Sequence, residues 1–225
     1  MGRTLSIQSD DGFCFDAYLA QPTGEPKASL VVLQEIFGLN DHIKSVADFF
    51  ASEGYLVIAP ATQDRSAKNL ALGYAPEDMA EGIKHKTAVT SLPNNPVMSD
   101  IQASIYHVAN TKKVGVIGYC WGGFLAWKSA CELQGVSAAI SYYPGGIETA
   151  DDLTPQCPTM LHFATEDKHI TLDIVENFKN KQTHSEVFIY QGQHGFNCDA
   201  RSAYHADAAK LALQRSLDFL KKNLL

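Results

Sequence analysis

Gly118-Tyr119-Cys120-Trp121-Gly122-Gly123 sets a cysteine between glycines, directly after an apolar run and directly before a helical pattern. A nucleophile in such a turn projects above the end of a strand, at a helix N-terminus whose partial positive charge favours a thiolate over a thiol. Glycines suit it because strand and helix approach closely there and the turn is strained. The plain alternative is a core cysteine in a glycine-rich packing turn. A thiolate nucleophile needs a base, and the base a group that orients it. Asp167, in Ala164-Thr165-Glu166-Asp167, and His194, in Gln191-Gly192-Gln193-His194-Gly195-Phe196, each follow an apolar run, in the chain order nucleophile, acid, histidine. Glu166 is the adjacent alternative to Asp167; the Lys168-His169-Ile170 that follows favours Asp167. Among eight histidines, His162 and His205 fall inside expected elements and His184 precedes a strand, so these read as structural or solvated. His169 competes with His194 but comes only two residues after the acid.

Gln34-Glu35-Ile36-Phe37-Gly38 follows a third apolar strand. A loop in this place supplies one oxyanion N–H and the residue after the nucleophile the other, so Ile36 and Trp121 are the candidate donors. Glu35 is a carboxylate closing an apolar strand and is a candidate catalytic group; the alternative is a solvated loop carboxylate. The chemistry of such a set is acyl transfer to sulfur. A thiolate leaves more readily than an alkoxide, so enol lactones and other activated esters suit it better than alkyl esters or peptides.

The order of elements must bring these residues together. Residues 4–7 and 13–20 alternate apolar and polar around the turn Asp10-Asp11-Gly12 and read as a hairpin. Strands are expected at 29–33, 55–59, 113–118, 136–141, 159–163 and 186–190, and helices at 41–52, 97–109, 122–133, 171–181 and 201–220. Residues 61–96 are irregular, with Gly73, Pro76, Pro93 and Pro96 interrupting weak helical patterns, and read as a lid or wall of the site. Alternating strands and helices imply an α/β chain of the α/β-hydrolase class: about eight mostly parallel strands, helices on both faces and the antiparallel hairpin at one edge. In such sheets chemistry gathers at the carboxyl ends of the strands. A length of 225 residues suits a single domain over 1–225.

A net charge of −7 without a basic stripe argues against nucleic acid as a partner. No apolar run reaches the roughly 18 residues of a membrane span, and 1–11 is not a signal peptide. Cys14, Cys120, Cys131, Cys157 and Cys198 are an odd, dispersed set, which reads as reduced thiols in the cytoplasm, with Cys14, Cys131 and Cys157 as buried small hydrophobes. No cofactor or metal is expected; the expected partner is a small ester or lactone, and the chain a monomer or small homo-oligomer.

Together the 34–38, 118–123 and His194-Gly195-Phe196 motifs, with Ala59-Pro60 and Leu213-Gln214-Arg215-Ser216-Leu217, resemble the dienelactone hydrolase (carboxymethylenebutenolidase) family over nearly the whole chain. The resemblance implies a triad of Cys120, Asp167 and His194, with Glu35 in the place of a glutamate that interacts with the thiol and helps to activate it. It also shows a departure. Characterised enzymes of chlorocatechol breakdown hold the substrate carboxylate with arginines, one of them four residues after the histidine, where this chain has Cys198. Its arginines are Arg3, Arg65, Arg201 and Arg215. Arg201, Phe37 and Tyr143 are the candidate substrate contacts, although Arg201, as the first residue of an expected helix, reads equally well as a surface charge. Two other functions stay open: a non-catalytic ligand-binding relative, and a redox sensor using Cys120, the latter weakened by the lack of a C-x-x-C or a resolving cysteine.

Overall fold

The computed structural model describes residues 2–110 and 112–225. It contains eight strands, mostly parallel, with an antiparallel N-terminal hairpin, and six α-helices among the described residues. The α/β expectation therefore holds. The chain divides into two compact halves, Met1–Val114 and Gly115–Leu225.

In the first half, β1 (Arg3–Gln8) and β2 (Cys14–Ala20) pair antiparallel, with Gln8 opposite Cys14. Gly12, at φ +86°, closes the turn. β3 (Ala28–Leu33) is buried along its whole length, as expected of a parallel strand covered on both faces. It pairs parallel with β4 (Tyr55–Pro60), which pairs antiparallel with β2, giving the order β1-β2-β4-β3. α1 (Asp41–Ser52) starts at the cap Asn40, whose side chain accepts from Ile43 N at 3.1 Å. α3 (Pro96–Ala109) opens on a proline and buries Val97, Ile101, Ile105 and Val108, a stripe at helical spacing.

Residues 61–96 are more ordered than expected. They contain α2 (Pro76–Thr90), a four-turn helix that buries only Gly82 and Val89 and leaves Ile83 half exposed. So little apolar periodicity is hard to read from sequence. The segment before α2 is fastened to the loop after β3. Leu39 N donates to Leu70 O at 2.9 Å, Leu72 N to Phe37 O at 2.8 Å, and the Asn40 side chain to Leu72 O at 3.1 Å.

In the second half the strand order is β5 (Val114–Tyr119), β6 (Val136–Tyr142), β7 (Thr159–Ala164), β8 (Glu186–Tyr190), and β6/β7 and β7/β8 pair parallel. α4 (Trp121–Glu132) follows β5, and α5 (Leu172–Lys181) connects β7 to β8. The closing helix, α6 (Ala206–Leu224), starts five residues later than expected. Residues 201–205 are a turn instead, and His205, expected inside the helix, is its cap: its ring accepts from Ala208 N at 3.3 Å. No helix among the described residues is long and apolar enough to cross a membrane.

Candidate active site

The cysteine turn is built as its residues require. Cys120 has φ +55°, in the left-handed region that a β-carbon disfavours, and forms the N-cap of α4. Two backbone bonds hold it there: its N–H donates to Tyr142 O at 2.9 Å, and its carbonyl accepts from Phe124 N at 3.1 Å. The glycines are steric necessities. A β-carbon on Gly118 would lie 1.9 Å from Gly122 O, and one on Gly123 2.5 Å from Tyr142 O. Trp121 is the first residue of α4, so its N–H belongs to the helix's first turn, whose amides have no carbonyl one turn earlier to bond. Its side chain is buried.

β7 and β8 deliver the other two groups. Their extensions are zipped by Thr165 N to Tyr190 O and Glu166 N to Gly192 O, both at 2.9 Å. This brings Asp167 Oδ2 to 2.7 Å from His194 Nδ1. Asp167 Oδ1 accepts from the amides of His169 (2.8 Å) and Ile170 (3.1 Å). Burial alone would raise the Asp167 carboxyl, but the bond and charge of His194 and these two amides outweigh it and hold it below the usual carboxylate range. His194 is also hydrogen-bonded to the Cys120 side chain. Burial works against its protonation, yet the Cys120 thiolate charge and the bonds to Asp167 and Cys120 raise it to about 10. The three side chains form one chain of hydrogen bonds.

The alternatives fall elsewhere. Glu166 is exposed and takes a hydrogen bond from the Gln191 side chain. The His169 ring is exposed and stands edge-on to His194, centroids 5.1 Å apart. His162 is buried, with Nδ1 2.8 Å from Tyr190 Oη and Nε2 3.0 Å from Ser216 Oγ. The other cysteines are free thiols. Burial pushes Cys131 up to about 12 and Cys157 to about 11, whereas Cys14, expected inside, is exposed at the start of β2.

A family model, the dienelactone hydrolase family, matches residues 15–224. The chain belongs to the dienelactone hydrolase family. A Synechocystis protein named "Putative carboxymethylenebutenolidase" is 36% identical over 219 residues, 88% of this chain and 87% of that one. The carboxymethylenebutenolidase of Pseudomonas putida is 30% identical over 226 residues, 96% and 94% of the two chains. A Klebsiella pneumoniae crystal structure, described as a "Putative Dienelactone Hydrolase", superposes with a TM-score of 0.84 at 27% identity, covering 98% of each chain. This dienelactone hydrolase family member is thus an α/β-hydrolase in fold and a hydrolase of the carboxylic-ester class.

The remaining candidates sit differently from one another in this family member. Tyr143, expected to touch substrate, is 1% exposed and packs against the His194 ring, centroids 5.1 Å apart. Cys198 is fully buried. Arg201 is not on a helix but in the turn before α6, and its guanidinium lies against Gly195: a β-carbon there would be 2.6 Å from Nη1. In the first half, Glu35 is buried at the end of β3 rather than solvated, and Phe37 is buried edge-on to Tyr74 at 4.7 Å. Ile36 O accepts from the Gln63 side chain at 3.0 Å, and the same nitrogen donates to Gly82 O at 3.1 Å. Gln63, a brace between this loop and α2, carries no sequence signal that marks it. Among the described residues no group of three or more His, Cys, Asp or Glu is placed to hold a metal ion.

Proposed function

We propose that this chain hydrolyses small activated esters or lactones through a thioester on Cys120. The hydrogen-bonded run Cys120–His194–Asp167, with the thiol at the N-terminus of α4, carries the reading. The thiolate attacks the ester carbonyl carbon, and the carbonyl π pair moves onto oxygen, facing the Trp121 N–H. The adduct collapses with loss of the enolate or other stable leaving group, which takes its proton from His194. Neutral His194 then removes a proton from water, the hydroxide attacks the thioester, and the carboxylic acid leaves as Cys120 thiolate and His194 imidazolium are restored. Asp167 fixes the imidazole tautomer throughout.

Ile36 as the second oxyanion donor and Glu35 as a partner of the thiol rest on the 34–38 motif. Arg201 is proposed to meet a carboxylate on the acyl group, the part that the missing arginine at Cys198 would otherwise play. Five free thiols suit a reducing compartment, and the proposal places the enzyme in the cytoplasm.

The test is turnover of p-nitrophenyl acetate and dienelactone by the wild type, Cys120→Ala, Cys120→Ser and Glu35→Gln, with mass spectrometry of the protein quenched during turnover. An acyl adduct on the peptide carrying Cys120, and loss of turnover in Cys120→Ala, are expected; Glu35→Gln should slow acylation. Full activity in Cys120→Ala would overturn the mechanism.

A further inference from the structure

Among the described residues, six other than glycine have positive φ: Asn69, Asn94, Asn95, Asn110, Cys120 and Tyr143. Asparagine tolerates this region, and Cys120 is held there by the nucleophile turn. Tyr143 has neither reason. It is bulky, has φ +36°, and precedes Pro144, which pushes its predecessor still further toward extended backbone. Such a conformation persists only where the surroundings over-determine it, and it concentrates at functional sites.

What the strain achieves is visible in the packing. Tyr143 N–H donates to His162 O at 2.7 Å, which ties it to β7. Its ring stands 5.1 Å from His194, 5.4 Å from Phe196, 6.1 Å from Tyr142 and 6.4 Å from Tyr119, centroid to centroid. The Asp167 bond anchors His194 at Nδ1, leaving Nε2 as the nitrogen toward Cys120. Hydrogen bonds at its two nitrogens leave the tilt of the ring about the line between them open, because the torsion that turns an imidazole has a broad well. A rigid aromatic wall beside it fixes that tilt.

We propose that Tyr143 is a positioning residue for His194: its strained backbone presents the ring as a wall that holds the imidazole in the plane where Nε2 meets Cys120. The inference rests on the reading of His194 as the base. It differs from the expectation that Tyr143 touches substrate, because a substrate contact acts on KM and a positioning residue on kcat.

The experiment compares wild type, Y143F, Y143G, Y143N and H194A on p-nitrophenyl acetate across pH, with thermal melts of each. Phenylalanine keeps the wall, and Y143F should stay within about threefold of wild-type kcat. Glycine and asparagine both accept positive φ and remove the wall; kcat should fall about 10-fold or more, with KM within about twofold. The basic limb of the kcat/KM profile, set by a His194 raised to about 10, should move toward neutrality as the imidazole loses its fixed contact with Cys120 and Asp167. Wild-type kcat and an unmoved profile in Y143G and Y143N, with H194A inactive, overturn the proposal. So does a rise in KM alone. Activity retained in H194A instead overturns the assignment of the base, a separate failure.

Discussion

Asp167 holds His194 through one carboxylate oxygen and is itself held through the other. Oδ2 lies 2.7 Å from His194 Nδ1, while Oδ1 takes the amides of His169 and Ile170. The acid is therefore fixed by its own loop before it meets the histidine, and removing its charge should disturb chemistry more than structure. In Asp167→Asn, an amide replaces the carboxylate that, in the proposed mechanism, stabilises the imidazolium and selects its tautomer. We expect kcat on p-nitrophenyl acetate to fall roughly 10²-fold or more, with KM and melting temperature little changed. Steady-state kinetics with a parallel melt decide it, and a variant within threefold of wild type would remove Asp167 from the mechanism.

Gly118 is a sharper test of the turn itself. Because an added β-carbon would meet Gly122 O at 1.9 Å, β5 and α4 must separate to admit even a methyl group. Gly118→Ala should cost about 3 kcal/mol or more of stability and most of the activity. Denaturant unfolding measures the first and turnover the second. Wild-type stability would mean that the close approach of β5 and α4 is not required.

A second consequence concerns acid. His162 lies in a buried chain of hydrogen bonds that runs from Tyr142 through Ser216 to His162, Tyr190 and Arg215. Burial, with a smaller contribution from Arg215, pushes it down to about 3. An unfolded histidine titrates near 6.5. Between these values the unfolded chain binds the extra proton, so the stability is complete above about pH 6.5 and is lost as pH falls toward 3. Urea denaturation at pH 7 and pH 4 should show a loss on the order of a few kcal/mol. His162→Gln, which keeps hydrogen-bonding groups but does not titrate, should flatten that slope. An equal slope in both proteins would place the acid sensitivity elsewhere.

These residues also show how far the sequence could be read. The approach of Cys120, Asp167 and His194 to one another is legible because each follows an apolar strand, and strand ends are where a parallel sheet delivers side chains. α2 was not, since a helix burying little beyond Gly82 and Val89 leaves no periodic pattern. α6 starts later than the sequence pattern predicts because the residues from Arg201 to His205 have helix-compatible side chains, while the decisive event is a histidine cap that only the folded chain displays. Tyr143 was legible as a residue near a strand end but not as a buried one: its burial depends on Phe196 and His194, some fifty residues away. Gln63 was invisible for the same reason, being defined by carbonyls on two other segments.

The turn that displaces the start of α6 bears on the substrate. Had the helix begun at Arg201, that side chain would be one more exposed charge. Instead its guanidinium lies against Gly195, whose φ of +86° and lack of a side chain leave the space it uses. In the proposed role, Arg201 meets the acyl carboxylate with paired hydrogen bonds, which a lysine cannot reproduce. Arg201→Gln should therefore raise KM about 10-fold for dienelactone, whose acyl part carries a carboxylate, and leave that for p-nitrophenyl acetate within about twofold. Arg201→Lys should recover only part of the difference. Equal losses on both substrates would show that Arg201 braces the His194 loop and that the acyl carboxylate is met by another group.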